Sequence, residues 1–416
     1  RRFAGFYIGE DAEAPNYDPE HRVIRSPFTG SAGPALEHCG TIFPARAMLE
    51  PSHGFASLYP VVKYPEPDYD SSEIQELVDR VITRSDVAMN LAVTGLVTNA
   101  YLYTGDEKYK KWILDYVGAW LERTIENGGI IPDNIGPTGK IGENREGQWW
   151  GGFFGWTNIY SVEMISNAVI TASECAFLVS GDPHYLLLLR SLVDALLDRS
   201  ITRDGNLLVP HKVGPDGWFD YQPLTPSILS HLWHASMEAA DWERIERLRE
   251  GTTLFDWDHV LNDIGHANEH RFNEPPHLSC LGGTNPDWPE KILHAEGDMV
   301  RRNVDRIRSG TYEEGSQTTL SQSPVLTNGL AQMTMGAPYT CFNGGLLCAA
   351  VRYFDTDRAR PGLPPDVSAL VEKIHAETTV VHLVNLSASE TRNLIVQAGA
   401  HGEHDFTEVT FLQQAG

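Results

Sequence analysis

One pattern of helix punctuation, used twice, restricts this chain more than any other feature. Ala100-Tyr-Leu-Tyr-Thr-Gly-Asp-Glu-Lys-Tyr109 returns as Ala176-Phe-Leu-Val-Ser-Gly-Asp-Pro-His-Tyr185, which sets Gly105 and Gly181 76 residues apart. A glycine just past a helical run takes the left-handed conformation that stops a helix, and an aspartate beside it caps the next one. Each copy therefore reads as helix, stop, cap and second helix, with Tyr109 or Tyr185 returning to the core. The match continues at Val117/Val193, Ala119/Ala195, Leu121/Leu197 and Arg123/Arg199. Hairpins that repeat bury their apolar faces by stacking. This repeat is too long for tetratricopeptide or HEAT units, and a long polar-aromatic loop joins its copies. That combination suits a closed ring of hairpins with loops on one face better than an open solenoid.

The rest of the chain is sorted around those hairpins. Ile74, Leu77, Val78, Val81 and Ile82 follow the i, i+3, i+4, i+7, i+8 stripe of an amphipathic helix starting near Ser71. A second helix is expected over 91–104. A third starts at Asp106, with Trp112, Ile113, Tyr116, Val117, Trp120 and Leu121 on one face. Further helices are expected at 224–249, 288–309, 324–335 and 344–354. The first 70 residues lack a period but are rich in Pro, Gly and aromatics, which reads as an ordered wrapping segment. After Pro361-Gly-Leu-Pro-Pro365 the texture turns to β at 378–385 and 391–397, with a third strand expected at 406–411. The expected fold is mainly α: an (α/α) toroid over 71–360, the wrapping segment 1–70 before it, and a small β-sandwich-like module over 361–416.

Charge and motifs exclude several function classes. The formal charge of −24, from 32 Lys and Arg against 56 Asp and Glu, argues against a nucleic-acid partner, which needs clustered cations. It weighs mildly against a polyanionic substrate as well. No run of residues approaches the about 18 to 20 apolar positions of a membrane span, so none is expected. Five cysteines, an odd number without CxxC spacing, read as free thiols rather than a disulfide framework. There is no Walker A loop, no GxGxxG after a strand and no GxSxG elbow, which disfavours nucleotide binding and serine-hydrolase chemistry. No cofactor is expected.

Three loops concentrate residues with chemistry. Between the repeat copies, residues 128–156 combine glycines with Trp149, Trp150, Phe153, Phe154 and Trp156, the acids Asp133, Glu143 and Glu146, and Asn134, Asn144 and Arg145. Aromatic faces with short polar side chains are what sugars stack on and hydrogen-bond to; the alternative is a loop that plugs the toroid with its own aromatics. A second Gly/Pro loop, 210–222, carries His211, Lys212, Asp216, Trp218 and Tyr221. The third, 265–288, holds three histidines without HExxH spacing, so no metal site is expected and His277 is taken as a pocket residue. Tyr339 and Asn343, in Ala337-Pro-Tyr-Thr-Cys-Phe-Asn-Gly-Gly345, sit where a cavity rim or a helix cap is expected.

The Thr104-Gly-Asp-(x)2-Tyr109 hairpins, the Trp149–Trp156 loop and the β module together resemble the carbohydrate-active α/α toroids, glycoside hydrolases and polysaccharide lyases alike. The stretch from Asp133-Asn-Ile-Gly to Trp149-Trp-Gly-Gly is also similar to a group of large, uncharacterised bacterial proteins. The likeness spans 71–397 and implies a carbohydrate substrate. The favoured chemistry is hydrolysis by paired carboxylates, from Glu143, Asp133 and Asp216. The alternative is β-elimination on a uronate glycan, with His211, Tyr221 or Tyr339 as base and Arg145 or Asn144 neutralising the carboxylate. A second alternative is a non-catalytic glycan-binding protein. The remaining nominated residues (Asn134, Trp149, Trp150, Trp156, Trp218, His277 and Asn343) are expected to bind substrate. The chain opens at Arg1-Arg2 without a methionine, and its β-rich stretch stops at Gly416. We therefore expect sequence beyond both ends, and location stays open between the bacterial cytoplasm and export. Oligomeric state is not legible.

Overall fold

A computed structural model describes residues 1–12, 16–25, 29–30, 33–34, 84–152, 154–158, 160–261, 273–310, 326–341 and 345–411. The helix expected from Ser71, most of the wrapping segment, Phe153, residues 265–270 and Asn343 lie outside the described residues. The chain forms two compact units. The first comprises Arg1–Leu224 with Cys341–Leu346, and the second Thr225–Thr340 with Leu347–Gly416. The boundary at 224/225 falls inside the stretch expected as one helical domain.

In the first unit a short helix α1 (Arg2–Tyr7) precedes the strand pair β1 (Tyr17–Asp18) and β2 (Val23–Ile24), followed by the pair β3 (Thr29–Gly30) and β4 (Gly33–Pro34). The repeated hairpins form as their punctuation dictates. Helix α2 (Val93–Thr104) ends at Gly105 (φ 63°), and Asp106 caps α3 (Glu107–Glu126) by accepting from the Lys108 N–H. Helix α4 (Ser161–Ser180) ends at Gly181 (φ 69°), and Asp182 accepts from the His184 N–H. The second copy differs in one respect: Pro183–Leu186 is a 3-10 turn before α5 (Leu187–Leu197). Each stop is closed twice, by the glycine N–H and by a hydroxyl one residue earlier, Thr104 to the Ala100 carbonyl and Ser180 to that of Ala176. Tyr109 is buried as expected, whereas Tyr185 is half-buried.

The core of this unit is Trp112, Tyr116 and Trp120 of α3 against Ile165, Val169 and Ala172 of α4 and Leu188, Leu192 and Leu196 of α5. Helix α4 is long and apolar enough to cross a membrane, contrary to the sequence expectation, but 67% of its most apolar window is buried inside the fold. That burial accounts for its hydropathy as a core helix.

The mainly-α toroid is not what forms. The structure is 45% helix and 16% strand, with ten α-helices among the described residues and the strands spread over several small sheets. Residues 210–222, expected as a loop between helices, belong instead to an antiparallel sheet of β5 (Ile201–Arg203), β6 (Asn206–Gly214) and β7 (Gly217–Gln222), ordered β5-β6-β7. Gly214-Pro-Asp-Gly217 supplies its tight turn, a composition that also suits a loop.

In the second unit the helix expected at 224–249 is two, α6 (Pro226–Ser236) and α7 (Ala239–Gly251), broken where Met237 takes a left-handed backbone (φ 53°). Helices α8 (Glu274–Leu281), α9 (Trp288–Ser309) and α10 (Asn328–Met335) follow. The helix expected at 344–354 is instead β8 (Val351–Asp355), which pairs with β9 (Arg360–Pro361) and β12 (Leu394–Ala398). Its side chains alternate between buried and half-buried, as a strand of β-branched and aromatic residues allows. Strands β10 (Val367–Ile374) and β11 (Thr379–Asn385) form a separate pair, and residues 406–411 are irregular rather than a third strand.

Candidate functional site

The loop after α3 is organised by one carboxylate. Gly128 and Gly129 (φ 70° and 81°) turn the chain, and Ile135 then exchanges both backbone hydrogen bonds with Asp86 at 2.8 Å. Asp133, fully buried, accepts from the N–H groups of Gly151 (2.8 Å), Gly152 (2.7 Å) and Trp156 (2.6 Å) and from Asn134 Nδ2 (3.1 Å). Two glycines make this wrap possible. A Cβ on Gly152 would lie 1.9 Å from the Asp133 carbonyl oxygen, and one on Gly155 would lie 2.1 Å from Oδ2. Burial raises the Asp133 pKa, while the Gly152, Trp156 and Asn134 hydrogen bonds and the charge of Arg145 pull it down. Arg145 is buried too, and burial lowers its pKa to about 10 against the pull of Asp133. Trp156 is completely buried, its indole N–H donating to the Ile131 carbonyl at 2.7 Å.

The β6–β7 hairpin docks on this loop. The Val213 N–H donates to the Trp156 carbonyl at 3.1 Å, and the Ser161 hydroxyl donates to the His211 carbonyl. Val213 opposes Trp218 in the hairpin, so strand alternation puts His211, Val213 and Trp218 on one face. The Trp218 ring lies 5.1 Å from Trp156, edge to face, and 6.0 Å from Trp149, with the Arg199 guanidinium 5.3 Å above it. Trp149, Trp150 and Trp218 are half-buried, unlike Trp156. The first two sequence-selected loops therefore converge.

Within the hairpin, His211 stands out. Burial lowers its pKa, opposed by the charge of Asp220 and by a hydrogen bond to the Pro223 carbonyl. Its Nε2 is buried and has no hydrogen-bond partner among the described residues. The imidazole is thus neutral near pH 7, with Nδ1 carrying the proton and Nε2 holding the lone pair. Asp220, in a left-handed backbone (φ 58°), meets Lys212 Nζ at 2.9 Å. Against the burial that would raise it, Gln222 and Lys212 hold the Asp220 carboxyl below its usual range.

Four other nominated residues of this unit lie in the same loop and hairpin. Glu143 is exposed and accepts from the Thr138 N–H (3.0 Å) and hydroxyl (2.8 Å). Asn144 Nδ2 donates to the Ser85 hydroxyl at 3.1 Å. Asp216 is exposed in the hairpin turn, and Tyr221 is half-buried opposite Pro210. No hydrogen bond joins any two of Asp133, Glu143 and Asp216 among the described residues. Asp133 holds the loop and Trp156 is core, so neither is displayed to a ligand.

His277 and Tyr339 belong to the second unit, where Tyr339 meets a carboxylate that sequence reasoning missed. Glu274 of α8 is fully buried and accepts from the Ser230 hydroxyl, Gln332 Nε2 and the Tyr339 N–H. Burial raises its pKa, and these hydrogen bonds with the charge of His231 oppose the rise. His231 Nε2 is 2.7 Å from the Tyr339 carbonyl. His277 is a core residue rather than a pocket lining, its ring 4.6 Å from Trp288 and 6.2 Å from His234. Burial drives its pKa well below the usual histidine value, with His234 adding to the fall. Burial likewise takes His234 to about 3. Among the described residues no group of three or more His, Cys, Asp or Glu is arranged to hold a metal ion. Nothing local marks Glu274 as buried, since Asn273-Glu-Pro-Pro276 reads only as a helix start. Arg199 carried one signal, its match to Arg123 in the repeat.

Residues 1–331 match the family described as a domain of unknown function (DUF8034), and the chain belongs to that family. No curated protein and no solved structure matches it.

Proposed function

We propose that this member of the DUF8034 family is a carbohydrate-active enzyme that breaks glycosidic linkages, and that it does so by β-elimination with His211 as the base. The observation that carries the reading is the state of His211: a neutral ring, fixed by Pro223, with a buried Nε2 that has no partner among the described residues, on the hairpin face that carries half-buried Trp218. A sugar stacked on Trp149 and Trp218, displacing the side chains that cover Nε2, meets a lone pair with no hydrogen bond to break. Nε2 takes the proton α to a uronate carboxylate. The C–H electrons form a new carbon–carbon double bond, and the bond to the β-glycosidic oxygen breaks. The leaving oxygen takes a proton, from solvent or from the imidazolium. The ionised Asp220 stabilises the imidazolium meanwhile, as a general base requires.

Hydrolysis, favoured on sequence, keeps one supporting observation: a net charge of −24 suits a neutral glycan. It loses another. A glycosidase needs two carboxyl groups about 5 to 10 Å apart, free to exchange protons, whereas the four hydrogen bonds to Asp133 leave it no such freedom. The test is a panel of uronate and neutral polysaccharides read by reducing ends and by the ultraviolet absorbance of an unsaturated product. Elimination predicts both signals on uronate substrates and neither in His211→Ala. Reducing ends without the absorbance would move the assignment to hydrolysis, and silence on both would withdraw the enzymatic reading in favour of glycan binding.

A further inference from the structure

The two arginines that the internal repeat equates do different work. Arg123, at the end of α3, is engaged through all three nitrogens: Nε donates to the Gly139 carbonyl (3.1 Å), Nη1 to that of Arg22 (3.2 Å) and Nη2 to that of His21 (2.6 Å). Arg199, its counterpart just past α5, donates Nη1 to the Ala195 carbonyl at 2.9 Å and makes no other side-chain hydrogen bond and no ion pair among the described residues. In a chain with 56 Asp and Glu, no acidic side chain among the described residues occupies the Arg199 guanidinium. The guanidinium is nevertheless held in place, 5.3 Å over the Trp218 ring and tied to the end of α5.

A planar cation stacked on an indole loses little freedom on binding, and its remaining N–H groups present the fork that suits a carboxylate. The other cations of the site are already committed. Lys212 pairs with Asp220 at 2.9 Å, and Arg145 is buried and coupled to Asp133. We infer that Arg199 and Trp218 together form a subsite for the carboxylate of an acidic sugar, the guanidinium Nε and Nη2 taking the carboxylate and the neighbouring tryptophans taking the ring. The subsite names the substrate class for the site proposed above and rests on that site being where glycans bind. It does not require that His211 be catalytic. Arg199 is thereby a specificity-determining residue, absent from the sequence-based candidates because a helix-terminal arginine is unremarkable without knowledge of what it stacks on.

The test is binding, read from tryptophan emission, of glucuronate and glucose to the intact chain and to Arg199→Gln and Arg199→Lys. We expect glucuronate to bind more tightly than glucose, with an advantage that shrinks as salt rises. Arg199→Gln should lose roughly tenfold in glucuronate affinity, leave glucose unchanged and keep the melting temperature within a few degrees. Arg199→Lys should fall between, since the charge remains but the fork is lost. Equal binding of the two sugars by the native chain, binding of neither, or equal losses for both in Arg199→Gln would overturn the subsite. Binding of glucuronate through Arg199 without any cleavage keeps the subsite and removes the elimination chemistry. Cleavage of uronate glycans that is indifferent to Arg199 does the reverse.

Discussion

Replacing Asp133 by asparagine separates an organising role from a chemical one. Each carboxylate oxygen accepts two hydrogen bonds, Oδ1 from Gly152 and Asn134 and Oδ2 from Gly151 and Trp156. Asparagine preserves the shape but turns one oxygen into an NH2, which then faces two donors. Two unmatched buried donors cost about 1–3 kcal/mol each. Part of this is returned because burial disfavours the native charge, as its raised pKa records. A net loss of about 2–4 kcal/mol is left, which for a unit of this size lowers the melting temperature by roughly 4–16 °C. The assay is thermal unfolding followed by circular dichroism together with tryptophan emission. Trp156 hangs on Asp133 through its backbone and packs against Trp218, so emission should change before helix content does. An Asp133→Asn protein that melts within a degree or two of the native one, with unchanged emission, refutes the organising role. If that protein had also lost glycan cleavage, Asp133 would return to the chemistry.

Three further outcomes are expected. Gly152→Ala forces a Cβ to 1.9 Å from the Asp133 carbonyl oxygen and should destabilise the first unit by at least about 1–3 kcal/mol. Gly118→Ala, inside α3 with nothing within 4 Å, should instead gain up to about 1 kcal/mol, and urea unfolding of both variants checks the contrast. In the second unit His234 has a folded pKa of about 3, below its unfolded value, so the unfolded chain binds more protons in mild acid. Stability from this group is complete above pH ~6.5 and falls with pH to be lower by about 2 kcal/mol at pH 5, a slope that His234→Gln should remove from acid titrations. Asp86 has the opposite sign: burial raises its pKa to about 6, against bonds from Asn90, Ile24 and Tyr116. Its contribution therefore improves by up to about 3 kcal/mol as pH falls from above 6 to below 4, and Asp86→Asn should flatten that rise in the first unit's melting curve.

What the chain determined by itself is what its local chemistry governs. Gly105-Asp106 and Gly181-Asp182 stop and restart helices because a left-handed glycine and a capping carboxylate act within a few residues, whatever surrounds them. The helix over 288–309 was legible for the same reason, from its own period and the glycine that ends it. The loops bearing tryptophans and titratable groups were also legible, since their composition is written in consecutive residues.

The rest was decided by contacts between distant residues. Whether hairpins close into a ring depends on how later segments pack, and residues 201–222 and 351–355, both open to another reading from sequence, became strands by pairing with partners. Asp133 was read as an acid because a carboxylate in a glycine-rich loop looks available. Three of its four donors sit 18 to 23 residues away, and only the folded loop wraps them around it. His277 looked like a pocket residue until Trp288 and His234 closed over it. Arg123 and Arg199 occupy equivalent places in the repeat, yet three carbonyls hold one and a tryptophan ring stacks on the other. A side chain's chemistry depends on which groups share its burial, and burial is a property of the packed whole rather than of any stretch of sequence.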